Sequence, residues 1–186
     1  RWGVPVFAAL AALFIVANWP IRADSGRRFQ REDRILQLIM DRHFDDAERW
    51  AKAFDDPSRD AWQMPARVVE ALALKPGQSI ADIGAGTGYF STRLARSTAS
   101  PTVYAVDIEP SMVAYLKTRA DKEGLKNLVA VQAGSDDPNL PAAGDTILIV
   151  DTYHHIPNRV AYFTKRKSAL KPGGTLAIVD FRKDSP

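Results

Sequence analysis

The chain has 186 residues, 46% of them hydrophobic and 25% charged, with a formal net charge of +3. That length supports a domain with a real core, and the composition is that of a globular protein. The positive excess is small, its arginines are scattered, and no basic helix is interleaved with aromatics, so the charge does not point to nucleic acid. The absence of cysteine excludes a disulfide framework and a thiolate metal site.

Val4 to Trp19 is almost entirely apolar. The run is short for a spanning helix, which wants about 20 residues, and slightly long for the apolar part of a signal peptide. Ile21-Arg22-Ala23 reads as a poor cleavage site because Ile21 is large. The run is therefore expected to be a signal peptide or an uncleaved anchor, with a buried N-terminal helix as the plainer alternative. Arg22, Arg27, Arg28 and Arg31 follow it, and only Arg1 precedes it. An anchor with that charge asymmetry leaves the following domain in the cytosol; a cleaved signal peptide exports it. Residues 1–23 are thus set apart from a linker and helix over 24–60 and a domain over 61–186.

Arg22 to Gln30 reads as polar linker. Glu32 to Phe54 is expected to be helical, with a stripe begun by Ile35, Leu36, Leu38 and Ile39 and continued by Trp50 and Phe54. Asp55-Asp56-Pro57 breaks it. A second helix is expected over about Pro65 to Leu74, stopped by Lys75-Pro76-Gly77. Five short runs rich in Ile and Val follow: Ser79–Ile83, Thr102–Ile108, Leu128–Val131, Thr146–Asp151 and Thr175–Phe181. Helical patterns separate them, carried by Phe90 and Leu94, by Met112, Tyr115, Leu116 and Arg119, and by Val160, Phe163 and Leu170. Strands alternating with helices predict a doubly wound, mostly parallel α/β sheet covered on both faces.

The strongest local signal is Ala81-Asp82-Ile83-Gly84-Ala85-Gly86-Thr87-Gly88-Tyr89-Phe90, at the end of the first of these strands and the start of a helix. That turn lies at the C-terminal edge of the sheet, where ligands bind. Its glycines let the backbone turn tightly and approach a ligand. A plain glycine-rich turn is the simpler explanation, but three alternating glycines preceded by an acid are more specific than a lone Gly-x-Gly. Asp107 ends the next strand, where a carboxylate can accept from both hydroxyls of a ribose. An acid there also favours a helix start, a role that Glu109-Pro110 already fills.

These residues carry a family resemblance. Asp82 to Gly88 resembles motif I of class I S-adenosylmethionine-dependent methyltransferases, and Val106-Asp107-Ile108-Glu109-Pro110-Ser111-Met112 resembles the acidic-loop motif that follows. Asp145 to Ile156 resembles the fourth strand and its loop, and Leu170 to Leu176 the turn into the fifth. The likeness runs from about Asp60 to Phe181 and is nearest to small-molecule enzymes of the "methyltransferase type 11" group. Trp62-Gln63-Met64-Pro65 resembles the lead-in of a bacterial subgroup. The resemblance implies a Rossmann-like fold and S-adenosylmethionine as cofactor. Gly84, Gly86 and Gly88 would hold its methionine part, Asp82 its amino group, Asp107 its ribose, and Ile108 its adenine. Ser135 and Asp136 compete for the adenine edge, because an extra residue stands before Leu140-Pro141. Asp151 and Tyr153 would line the pocket. Complete members carry two further strands after the fifth, so the C-terminal strands are expected to be missing here and Leu176–Phe181 to be an exposed edge.

A nicotinamide dehydrogenase is the rival reading, but its third glycine position falls on Tyr89. A non-catalytic methyltransferase-like module is a further alternative; nothing in the cofactor motifs is degenerate. His154 and His155 are candidate general bases beside the expected methyl position, although packing or loop orientation accounts for either singly. Adjacent side chains rarely converge on one ion, so no metal is expected. The Asn-Pro-Pro-Tyr-like motif of nucleic-acid amino-methylating enzymes is absent, which favours a small acceptor.

Overall fold

The computed structural model describes residues 12–16, 46–134, 137–156, 159–165 and 169–180. Strand β1 is Ala12–Val16; helices α1, α2 and α3 are Ala47–Phe54, Arg59–Gln63 and Pro65–Ala71. Then follow β2 (Ser79–Ile83), α4 (Tyr89–Ala95), β3 (Thr102–Asp107), α5 (Pro110–Glu123), β4 (Leu128–Gln132) and β5 (Gly144–Val150). A single 3-10 turn at Tyr153–His155, α6 (Arg159–Lys165) and β6 (Leu170–Asp180) complete the order.

Local chemistry fixes the helix ends. Asp46 caps α1 by accepting from Arg49 N at 3.0 Å. Trp50 and Phe54 stack one turn apart with centroids 5.4 Å from each other. Pro65 opens α3 at the position where its missing N–H is not needed. Pro110 opens α5 in the same way, and Gly124 in the left-handed region ends it.

The sheet order is β1-β6-β5-β2-β3-β4. β2 pairs in parallel with both β3 and β5, and β5 in parallel with β6. From β2 the chain winds outward through β3 to β4, then returns to β5 on the other side of β2. The reversal opens a crevice above the C-terminal ends of β2 and β5. One face of the sheet packs Ile80, Val103, Ala105, Leu148 and Val179 against Leu94 of α4 and Leu116 of α5. The other packs Ala81, Ile83, Val106, Ile147 and Ile149 against Tyr153 and Phe163. This alternation along buried strands is the two-sided covering expected of a parallel sheet.

Several boundaries differ from expectation. Leu170 belongs to β6, not to the preceding helix, because β6 begins at the Gly144↔Leu170 pairing ahead of an irregularity in the β5–β6 ladder. Such an irregularity tolerates Pro172 within a strand. α3 stops at Ala71, and α2 was not foreseen. Ala12–Val16 forms a strand antiparallel to β6, pairing Ala12 with Asp180 and Val16 with Leu176. The edge of β6 is therefore paired over that stretch instead of exposed. The rest of the apolar run, the linker, the start of the Glu32–Phe54 helix and Phe181 lie outside the described residues, as do Ser135 and Asp136. No helix among the described residues is long and apolar enough to cross a membrane.

Candidate cofactor and acceptor site

The glycine loop leaves β2 pinned to the neighbouring strand: Gly84 N and Ala85 N both donate to Val106 O at 2.9 Å. Two of its glycines are required by the geometry. Gly84 has φ +75°, and a Cβ there would collide with the Thr152 side chain just beyond β5. Gly86 has φ +56°, and a Cβ would lie 3.3 Å from the Phe54 ring at the end of α1. Left-handed backbone and close approach together exclude a side chain at either position. Gly88 closes the loop and starts α4.

Asp107 sits at the tip of β3 and is 8% exposed. One carboxylate oxygen accepts from Gly86 N at 2.7 Å and the other from Glu109 N at 3.0 Å. The side chain thus ties the glycine loop to the start of α5, and each oxygen keeps a second lone pair for a hydroxyl. Burial raises its pKa against the pull of these N–H groups. Ile108, next in sequence, is 53% exposed and presents an apolar surface beside this acid.

Asp82, at the tip of β2, is 3% exposed and accepts from Ser91 Oγ at 2.6 Å. Burial pushes its pKa up to about 6. Asp151, one residue past β5, has φ +50°, unusual for a residue with a side chain. Its pKa is raised by burial, with Arg59 pulling in the opposite direction. The structure therefore brings Asp82, Asp107, Asp151 and the three glycines to the mouth of one crevice.

Arg59 on α2 was missed in the sequence. Its Nη2 lies 3.2 Å from Asp151 Oδ2, its Nη1 donates to Phe54 O at 3.0 Å, and its guanidinium lies 4.2 Å from the Tyr89 ring centroid. Arg93 covers the same ring at 3.8 Å, and the Tyr89 hydroxyl donates to Asp60. Tyr89 is thereby the clamp that binds α2 to α4. Arg119 joins α1 to the loop: its Nη1 reaches Asp55 at 2.8 Å and Thr87 O at 2.9 Å. The long-range contacts among these follow from no local motif: 92 residues separate Arg59 from Asp151, 29 separate Asp60 from Tyr89, and 64 separate Arg119 from Asp55.

Among the described residues, buried Arg59 Nε, Thr87 Oγ1, Asp55 Oδ1 and both amide atoms of Gln63 have no hydrogen-bond partner. Buried polar groups are nearly always paired, so this cluster fits a site that receives a polar ligand. The chemistry of the donor set agrees with a nucleoside carrying a charged amino-acid end: a glycine cradle, an acid at each of three strand tips and the half-buried guanidinium of Arg59.

Past Asp151 the chain makes its 3-10 turn. His154 Nδ1 lies 2.9 Å from Asp180 Oδ1 at the tip of β6, and His154 N donates to Asp180 Oδ2 at 3.2 Å. The His155 ring lies tilted at 38° against the His154 ring with centroids 4.2 Å apart, and burial lowers its pKa. Tyr153 turns inward onto Phe163, with its ring under Arg159.

Residues 74–186 match a family model described as "Methyltransferase domain". The chain is 30% identical over 129 residues to methyltransferase GfsG of Streptomyces halstedii, covering 67% of this chain and 46% of that protein. It is 30% identical over 146 residues to a ubiquinone biosynthesis O-methyltransferase of Xanthomonas campestris, covering 76% of this chain and 60% of that protein. The chain thus spans about half the length of these relatives. A crystal structure of a SAM dependent methyltransferase from Aquifex aeolicus superposes with a TM-score of 0.65 at 29% identity, covering 76% of this chain and 78% of that one. The family match spans the strands and loops that build the crevice, and the chain belongs to the methyltransferase domain family.

Proposed function

We propose that the chain binds S-adenosylmethionine over the tips of β2, β3 and β5 and passes its methyl group to a small-molecule acceptor by in-line displacement. The observation that carries this reading is Asp107, which holds the glycine loop at Gly86 and still faces the crevice with spare lone pairs. The cofactor supplies a methyl group activated on a positive sulfur; the protein's work is to position it and its acceptor. Asp107 takes the ribose hydroxyls and Ile108 lies against the adenine. Asp82 takes the ammonium, with Ser91 holding its carboxylate in place. Ser135 or Asp136 meets the adenine edge.

The acceptor reading is small-molecule and hydroxyl-bearing. It is supported by relatives named for a ubiquinone O-methylation and by the His154–Asp180 pair. Asp180 at Nδ1 favours the tautomer whose Nε2 carries the lone pair. Nε2 then takes the acceptor proton as the oxygen attacks, and Asp180 stabilises the resulting imidazolium. His155 supports the His154 ring from the side, its own ring tilted against it. Full-length protein incubated with methyl-labelled S-adenosylmethionine and a metabolite extract tests the reading. Label in a small hydroxyl compound is expected; label only in macromolecules, or none, overturns it.

We propose further that residues 4–19 anchor the protein with its catalytic domain in the cytosol, where the cofactor is made; export after cleavage is the alternative. The arginines that follow the run support the first. The pairing of Ala12–Val16 with β6 is a competing use of the same residues. Reporter fusions after Ala23 decide: activity only from an export-dependent reporter contradicts the anchored form.

A further inference from the structure

The 3-10 turn at Tyr153–His155 is too short to hold its own shape, because a single turn fixes several backbone angles for few hydrogen bonds. Its internal bonds are His155 N to Thr152 O at 2.9 Å and Ile156 N to Tyr153 O at 3.2 Å. The rest of its order comes from the elements around it. Asp151 N donates to Val179 O at 2.9 Å and fixes the end nearest β5. Asp180 of β6 accepts from His154 N at 3.2 Å and meets His154 Nδ1 at 2.9 Å. Arg159, the first residue of α6, takes the carbonyls: its Nε donates to Tyr153 O at 3.0 Å and its Nη2 to His154 O at 3.1 Å. Nε–H and Nη2–H lie on one edge of the guanidinium, so one fork grips two successive carbonyls. Tyr153 completes the grip. Its ring centroid lies 4.9 Å from the Arg159 guanidinium and 6.0 Å from that of Phe163, one turn further along α6. Among the described residues no carboxylate pairs with Arg159, so its charge is spent on the turn.

We propose that Arg159 is the positioning residue for the proton acceptor: its fork holds the turn where His154 Nδ1 meets Asp180. This rests on the reading of His154 as general base and adds to it what aims the ring. The turn is held between an anion at a backbone N–H and a cation at its carbonyls, so that both charges pull its peptide dipoles the same way. Without the fork the Tyr153 and His154 carbonyls turn to water, and His154 leaves Asp180 for part of the time. The Nδ1–H tautomer then loses its advantage, and less of the protein presents the lone pair on Nε2. In this role Arg159 touches neither the cofactor nor the reacting atoms and acts only through His154. A lysine in its place carries the charge but cannot grip two carbonyls in one plane.

The test has two arms, both on full-length protein. The first is nitrogen-15 NMR of the imidazoles in the unreacted protein. The chain has three histidines, and the signals missing from His154→Gln identify the ring. Wild type is expected to hold His154 in the Nδ1–H tautomer, Arg159→Met to show a mixture of the two, and Arg159→Lys to fall between them. The second arm is the rate of label transfer from methyl-labelled S-adenosylmethionine into a metabolite extract. Arg159→Met is expected to slow it about 10–100-fold, the cost of a misplaced catalytic group, with S-adenosylhomocysteine affinity within about twofold of wild type. Combined with His154→Gln it is expected to slow transfer by no more than about twofold beyond His154→Gln alone, because the two residues act as a unit. An unchanged tautomer in Arg159→Met would overturn the proposal, as would a full further slowing in the double variant or full rescue by Arg159→Lys. If His154→Gln transfers label at the wild-type rate, the general-base reading itself fails, and the NMR arm still decides whether Arg159 sets the ring.

Discussion

Replacing Asp107 by Ala separates the scaffold role of this side chain from its ligand role. In the unliganded protein the substitution removes the acceptors of Gly86 N and Glu109 N. A hydrogen bond to a charged group contributes about 1.5–3 kcal/mol. Water reaching the crevice mouth replaces part of each bond, so the expected net loss is about 2 kcal/mol, or about 4–8 °C in Tm for a chain of this size. In the complex the ribose hydroxyls lose a charged acceptor as well, which lowers affinity about 10–100-fold. Asp107→Asn keeps one acceptor oxygen and is expected to lose less in the melt while still losing affinity. Thermal melts without ligand and calorimetry with S-adenosylhomocysteine read the two effects separately. A lower melt with unchanged affinity would leave Asp107 as a brace between loop and helix and would refute its role at the ribose.

Asp82 gives a pH prediction. Burial pushes its folded pKa up to about 6 from an ordinary carboxylate value of 3.8, so folding favours the protonated form. The stability this contributes is complete below about pH 4 and is lost as pH rises through about 6, by about 3 kcal/mol at most. Asp82→Asn should therefore melt higher than wild type at pH 7, with a flatter profile between pH 4 and pH 7, and should bind cofactor more weakly. A lower melt at pH 7 would show that the buried carboxylate is not a cost. Gly84→Ala should destabilise by more than about 2 kcal/mol, the sum of left-handed strain and the clash with Thr152. Adding Thr152→Gly should recover the clash but not the strain; no recovery would disprove the steric account. His154→Gln should slow methyl transfer about 10²–10⁴-fold and leave S-adenosylhomocysteine affinity within about twofold. A parallel loss of affinity would assign His154 to the loop's structure instead of to the proton.

The site was legible in sequence where its chemistry is local. Asp82, Gly84, Gly86 and Gly88 fall within one turn, and Asp107 closes the next strand, so strand period and glycine spacing located them. The five parallel strands were legible for the same reason, since buried runs of Ile and Val bounded by turns leave few alternatives. What tertiary contact decides was not legible. Arg59 meets Asp151 across 92 residues, and Asp180 meets His154 across 26; no spacing rule reaches that far. Tyr89 was read as an obstacle to one rival fold, and its service as the plate between two guanidinium groups needed the helices in place. The apolar run over Val4 to Trp19 suits a membrane, and the same composition suits a β-strand at the edge of β6, so hydrophobicity alone did not choose between them.

The central claim is that the crevice above β2, β3 and β5 is built for S-adenosylmethionine and not for a nicotinamide dinucleotide. Parallel titrations of the chain with S-adenosylhomocysteine and with NAD test it directly. The account predicts saturable one-to-one binding of S-adenosylhomocysteine, lost in Gly86→Val, and no saturable binding of NAD. Binding of NAD with no response to S-adenosylhomocysteine would contradict it.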